Sequence, residues 1–171
     1  TTAAQRNQYL YLVLPPVGIF ATAMIVRYVV RDDISHGVTK ILIALSQRKS
    51  RIKPHNMWSS VLSSAITIGM GGSVGAESPI VLTGAAIGSN LGRFFKMEQR
   101  NLMLLVGCGA AGAIAGIFKA PITGLVFVIE VLLMDLTLVS ILPLLTTSVT
   151  SASLAYILTG RQAMFSFMQS E

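Results

Sequence analysis

Apolar residues run from Tyr9 to Val30, with Pro15 and Pro16 near the start and Arg27 and Arg31 at the end. About 20 such residues suffice for one bilayer crossing, so the run predicts a transmembrane helix. Val38 to Leu45 is apolar again, but it makes only about two helical turns, far short of a crossing. It predicts a half-helix or a re-entrant piece. From Val61 to Met70 the apolar pattern carries interspersed Ser and Thr, and the chain then enters Gly71-Gly72-Ser73-Val74-Gly75-Ala76-Glu77-Ser78-Pro79. A continuous helix would not choose that stretch, so a break is predicted there.

Apolar sequence resumes from Ile80 to Leu91, with Gly84, Gly88 and Gly92 spaced by four to leave one helical face nearly bare for a close neighbour. Leu102 to Ile117 reads as another small-residue helix, with Gly112 and Gly116 again four apart. Phe118-Lys119-Ala120-Pro121 interrupts it. Ile122 to Met134 is a shorter apolar segment carrying Glu130, and Leu138 to Leu158 is a final crossing with Pro143 inside it. No strand pattern is visible. The expected fold class is an all-α polytopic membrane protein with broken helices.

Composition agrees. Of 171 residues, 53% are hydrophobic and 12% charged, too few charges to cover a water-soluble globule. The mean hydropathy of +0.69 combined with 15 Gly and 6 Pro fits packed, interrupted transmembrane helices. The formal charge is +6, and ten of the 13 Lys and Arg fall in Arg27 to Lys53 or Arg93 to Arg100. Short basic loops stay cytoplasmic, so both loops are expected inside. A nucleic-acid patch would need a soluble face with interleaved stacking aromatics, and nucleic acid is not expected as a partner. Trp58 stands where an interfacial aromatic would.

A single cysteine, Cys108, rules out an internal disulfide framework and a thiolate metal site. No secretory signal pattern opens the chain, and the absence of an initiator Met predicts a processed or internal piece. Gly71-Gly72-Ser73-Val74-Gly75 formally matches a nucleophile elbow, but that motif needs a preceding strand and a later His, whereas both His36 and His55 precede Ser73. No metal-binding or nucleotide-binding motif appears, so neither catalytic residues nor a resident cofactor or metal is expected.

Glu77 is the most informative position: a lone carboxylate inside a Gly-rich break between apolar segments, where ionisation is costly unless water or a partner is at hand. Pro79 suits the first turn of a helix, which predicts a helix start near Ser78 or Pro79. The amides of Ala76, Glu77 and Ser78 would then be free donors backed by the positive helix end, an anion site. A tethered carboxylate can fill such a site when ionised and leave it when protonated or displaced, which makes Glu77 a gate. The simpler reading is a helix cap facing the headgroups. Ser35-His36-Gly37 precedes the half-helix and repeats the arrangement, so two helix ends could line one anion path. His36 by itself is ambiguous, since a lone His is more often a hydrogen-bonded structural residue than a ligand.

Gly75-Ala76-Glu77-Ser78-Pro79 resembles the G-[KR]-E-G-P signature of CLC chloride channels and chloride/proton exchangers, a family of voltage-gated type. Gly116-Ile117-Phe118-Lys119-Ala120-Pro121 followed by Gly124 to Glu130 looks like that family's next helix pair, and His36-Gly37-Val38 falls where the family has S-G-I. The resemblance implies helices C to I of the first inverted repeat, a fragment of one ion-transport domain with the second repeat absent. It further implies chloride as the transported ion, membrane lipid as surroundings, a homodimer, and a multi-pass location in the plasma (inner) membrane. Glu77 matches the gating glutamate. Ala76 stands where the family has a basic residue and Ser78 where it has Gly, which weakens the local positive field but keeps the amides. Exchangers often carry a proton-transfer glutamate directly after the position of Glu130; Val131 stands there, as in channels, leaving Glu130 as the candidate for a proton path. The competing class is a membrane scaffold that keeps the packing glycines and transports nothing.

Overall fold

The computed structural model describes residues 2–30, 37–46, 50–132 and 138–160. Its elements are α1 (Thr2–Ile25), which passes into a π-helical turn (Val26–Val30), α2 (Gly37–Ser46), a 3-10 turn (Pro54–Met57), α3 (Ser59–Gly69), α4 (Glu77–Phe94), α5 (Gln99–Phe118), α6 (Pro121–Val131) and α7 (Leu138–Thr159). No strand occurs among the described residues, and the fold is all-helical. Two element starts differ from the sequence expectation. Helix α1 begins at Thr2 rather than near Tyr9, so Pro15 and Pro16 fall inside it. A second correction is α4, which begins at Glu77, making Pro79 its third residue rather than its first.

Helices α5 and α7 are long and apolar enough to cross a membrane, while α2, α3 and α6 are shorter apolar helices of 10–17 residues. The short ones cannot span alone, which fits the expectation for the half-helix.

Helix α4 packs antiparallel to α5, and the expected bare face is the contact. Gly84 lies under the carbonyl of Gly109, Gly88 under that of Leu105, and a methyl built on Gly92 would stand 2.6 Å from Leu102 Cδ1. The approach is reciprocal, since Gly109 equally abuts the Gly84 carbonyl. Backbones this close leave no room for a Cβ, and dispersion between them substitutes for the hydrophobic drive that lipid removes. Gly112 and Gly116 do the same for α7: a methyl on Gly112 would reach Thr147 Cγ2 at 3.2 Å, and Ser151 Oγ donates to the Gly112 carbonyl at 2.6 Å. The core between these helices is made of small and branched residues, among them Val81, Ala85, Val106, Ala110, Ala111 and Val128.

Polar residues tie the remaining pieces to this core. Ser89 on α4 is fully buried; its hydroxyl donates to the Ser50 carbonyl at 2.7 Å and accepts from the Ile52 amide at 3.0 Å. The turn after α2 is thereby fixed along α4. Between α1 and α3, the hydroxyls of Thr22 and Thr67 meet at 2.9 Å, and Thr67 donates to the Ser63 carbonyl, so the shared proton comes from Thr22.

Gly109→Ala should destabilise the protein by about 1–3 kcal/mol through overpacking against the Gly84 backbone. Gly69→Ala, where a methyl meets nothing within 4 Å, should be neutral or slightly stabilising. Thermal unfolding of the detergent-solubilised protein compares the two, and equal melting temperatures would contradict the packing described.

Candidate functional site

The break between α3 and α4 begins with a helix stop. Gly71 has φ +86, its amide donates to the Ile68 carbonyl at 2.9 Å, and the Gly72 amide donates to the Thr67 carbonyl at 2.8 Å. This paired pattern is the Schellman motif, which consumes the orphan carbonyls of α3 and needs a left-handed residue that glycine supplies without strain. A methyl on Gly18 of α1 would lie 2.6 Å from Met70 Cβ, so α1 backs this stop closely.

The chain then turns into α4 with Ala76 as N-cap at φ −83, ψ −18, and no side chain caps the helix. The Ile80 amide donates to the Ala76 carbonyl at 3.3 Å, and Pro79 has no amide proton. That leaves the amides of Glu77 and Ser78 without intrahelical acceptors, as the start of any helix does. Pro79 at the third position removes a donor that would otherwise sit deepest in the turn.

Helix α2 begins beside this start. A methyl built on Gly37 would stand 2.6 Å from the Ser78 carbonyl oxygen and 2.8 Å from its hydroxyl, and Gly37 is buried. The first residue of α2 is therefore pressed against the first turn of α4, and only glycine fits. Two positive helix ends converge on one spot, a concentration of partial positive charge that favours an anion.

Glu77 is exposed at this junction, and its Oε2 lies 2.9 Å from where a Gly75 methyl would be. Its carboxylate is folded back over the break instead of projecting along α4. Gly75 is exposed, while Ala76, Ser78 and Pro79 are half-buried. The expected partners Ser35 and His36 lie outside the described residues. Of the expected site, Gly75 to Pro79 and Gly37 are brought together.

Glu130 is elsewhere. It is exposed in the last turn of α6, whose Gly124 seats on α5 against the Ala111 carbonyl and 2.9 Å from Ala115 Cβ. Glu77 precedes Gly84 by seven residues and Glu130 follows Gly124 by six; α4 and α6 both run antiparallel to α5, so Glu77 lies toward the C-terminal end of α5 and Glu130 toward its N-terminal end. At 1.5 Å rise per residue the carboxylates are about 15–20 Å apart along the bundle. No group of three or more His, Cys, Asp or Glu that could hold a metal exists among the described residues.

The Voltage gated chloride channel family matches residues 17–171. The chain belongs to that family. This CLC chain is therefore a membrane protein. It is 29% identical over 154 residues to the ClcB-like protein of Ralstonia nicotianae, covering 88% of this chain and 36% of that one. It is 28% identical over 103 residues to the voltage-gated ClC-type chloride channel ClcB of Salmonella typhi, covering 60% of this chain and 24% of that one. Over 105 residues it is 30% identical to the H(+)/Cl(-) exchange transporter ClcA of Vibrio cholerae, covering 60% of this chain and 22% of that one. The chain spans little more than a third of the length of the Ralstonia relative. No solved structure matches.

Three residues that fix the helices around the site carried no signal of their own in the sequence. Ser89 looks like one more small residue, Gly109 falls outside both four-residue glycine series, and Gly18 is isolated in α1. A search for small residues facing the break at helical spacing from Pro15 would have reached Gly18.

Gly37→Ala should lower stability by about 1–3 kcal/mol by forcing α2 and α4 apart. The added substitution Ser78→Gly should not restore it, because the Ser78 backbone carbonyl remains the nearer obstacle. Full recovery in unfolding experiments on the double variant would mean that only the side chain, not the backbone, is in contact.

Proposed function

We propose that this CLC chain lines part of a chloride pathway, with the junction of α2 and α4 as the anion site and Glu77 as its gate. The observation that carries the reading is the Gly37 to Ser78 contact, which brings two helix N-termini together. There the amides of Glu77 and Ser78 supply donors, the Ser78 hydroxyl adds another beside Gly37, and the ionised Glu77 competes with chloride for the same field. The family's other members support chloride as the ion. By the same resemblance the protein works as a homodimer in the plasma membrane.

A gate of this kind has a simple signature. A neutral amide mimics the protonated, displaced carboxylate, so Glu77→Gln should raise chloride flux or abolish its dependence on pH. Flux assays on the reconstituted full-length protein test this; an unchanged flux with an unchanged pH profile would remove Glu77 from the gate. A scaffold without transport would instead tolerate the loss and gain stability from the removal of a membrane carboxylate.

Passive, channel-like conduction is the favoured mechanism. A coupled proton needs a titratable group or water leading to Glu77 from the inner side, and Val131 can carry none. One observation favours the exchanger as a second reading. Glu130 lies toward the other end of the bundle, about 15–20 Å from Glu77, where a proton could enter a separate branch. The reversal potential of the full-length protein under opposed chloride and pH gradients decides between them. It should follow the chloride gradient alone, and displacement by the pH gradient would establish coupling through Glu130 or a water chain.

A further inference from the structure

The two basic loops are not independent. Ser50 and Ile52 are both hydrogen-bonded to Ser89, which holds the exposed Arg51 between them against α4. Arg93 follows Ser89 by one helical turn on the same face, so the buried clamp brings two guanidinium groups to the same end of the bundle. Lys96 closes the helix in a left-handed conformation at φ +52, with its amide donating to Arg93 and the Met97 amide to Gly92. Among the described residues, Arg100 adds a fourth exposed cation to Arg51, Arg93 and Lys96, and the same loop carries one exposed carboxylate, Glu98. Like charges gathered by buried hydrogen bonds repel unless a counter-anion is at hand.

Aromatic residues are set among these cations. Phe94 is 80% exposed and Phe95 61% exposed, stacked edge to face at 5.4 Å between Arg93 and Lys96. Among the described residues nothing covers either ring. They fit the boundary between headgroups and acyl chains, with the flanking cations at phosphate level. A soluble anion would account for the charges but not for the rings.

We propose that the collar of Arg51, Arg93 and Lys96 with Phe94 and Phe95 binds an anionic phospholipid of the cytoplasmic leaflet, the cations holding its phosphate and the rings its upper acyl chains. The site is separate from the anion junction at Gly37 and Ser78, so its occupancy can be read without measuring transport.

The full-length protein in nanodiscs of mixed phosphatidylglycerol and chain-matched phosphatidylcholine provides the test, with retained lipid counted by native mass spectrometry. Wild type should retain phosphatidylglycerol preferentially. The preference should fall on the order of a hundredfold in the triple variant Arg51→Gln, Arg93→Gln, Lys96→Gln, because each cation near an anionic surface is worth roughly fivefold. The charge-preserving set Arg51→Lys, Arg93→Lys, Lys96→Arg should keep it, and Phe94→Ala with Phe95→Ala should weaken retention of both lipids. Equal preference in the triple Gln variant and wild type would overturn the proposal. Loss of the bound lipid to excess inorganic phosphate would also overturn it, identifying a soluble anion as the ligand.

Discussion

Inside a bilayer no water is available to pair with a backbone amide, and the architecture of this chain follows from that constraint. Helix interiors satisfy their own amides, and donors are left over at helix starts. Most starts can be hidden in a loop or at the membrane surface. Here α2 and α4 begin beside one another, which brings the free donors of two helix starts together. The Gly-rich break is what makes this geometry attainable, because the chain must stop one helix, reverse and start the next within residues 70–76.

Close backbone packing provides the rigidity that such a junction needs. With lipid outside and protein inside equally apolar, burial distinguishes the two states of a helix pair poorly, and contact distance matters more. Glycines at the α4 and α5 interface shorten that distance to backbone on backbone. The site therefore stands on a helix whose position is set by atoms that cannot adopt another rotamer.

Much of this was legible in the sequence, for identifiable reasons. The half-helix followed from an apolar run too short to span, and α2 occupies it; the four-residue glycine spacing named the α4 face before its partner was known. Gly75 to Pro79 announced itself because a carboxylate amid glycines has few structural uses in lipid. Pro79 points to a helix start near Ser78 or Pro79, whereas α4 starts at Glu77, because Ala76 already has helical dihedral angles and Pro is compatible with the third position as well. Helix α1 was begun too late because hydropathy detects the apolar run and is blind to polar residues that continue a helix out of the membrane. The meeting of Gly37 with Ser78, and the Ser89 clamp, join residues about 40 positions apart in the chain, and no local pattern encodes such contacts.

Helix α2 touches α4 at two levels: Gly37 at Ser78, and the turn of Ser50 and Ile52 at Ser89. The two strips of chain are thus matched like the rails of a ladder with a rung at each end, one rung in the anion junction and the other at the basic surface. Sliding α2 along α4 by even one residue would unseat the glycine and break both hydrogen bonds together. The junction is thereby tied to a turn far from it, and the Ser50 amide, which donates to the Ala44 carbonyl of α2 at 2.7 Å, carries the tie into the helix that begins at Gly37.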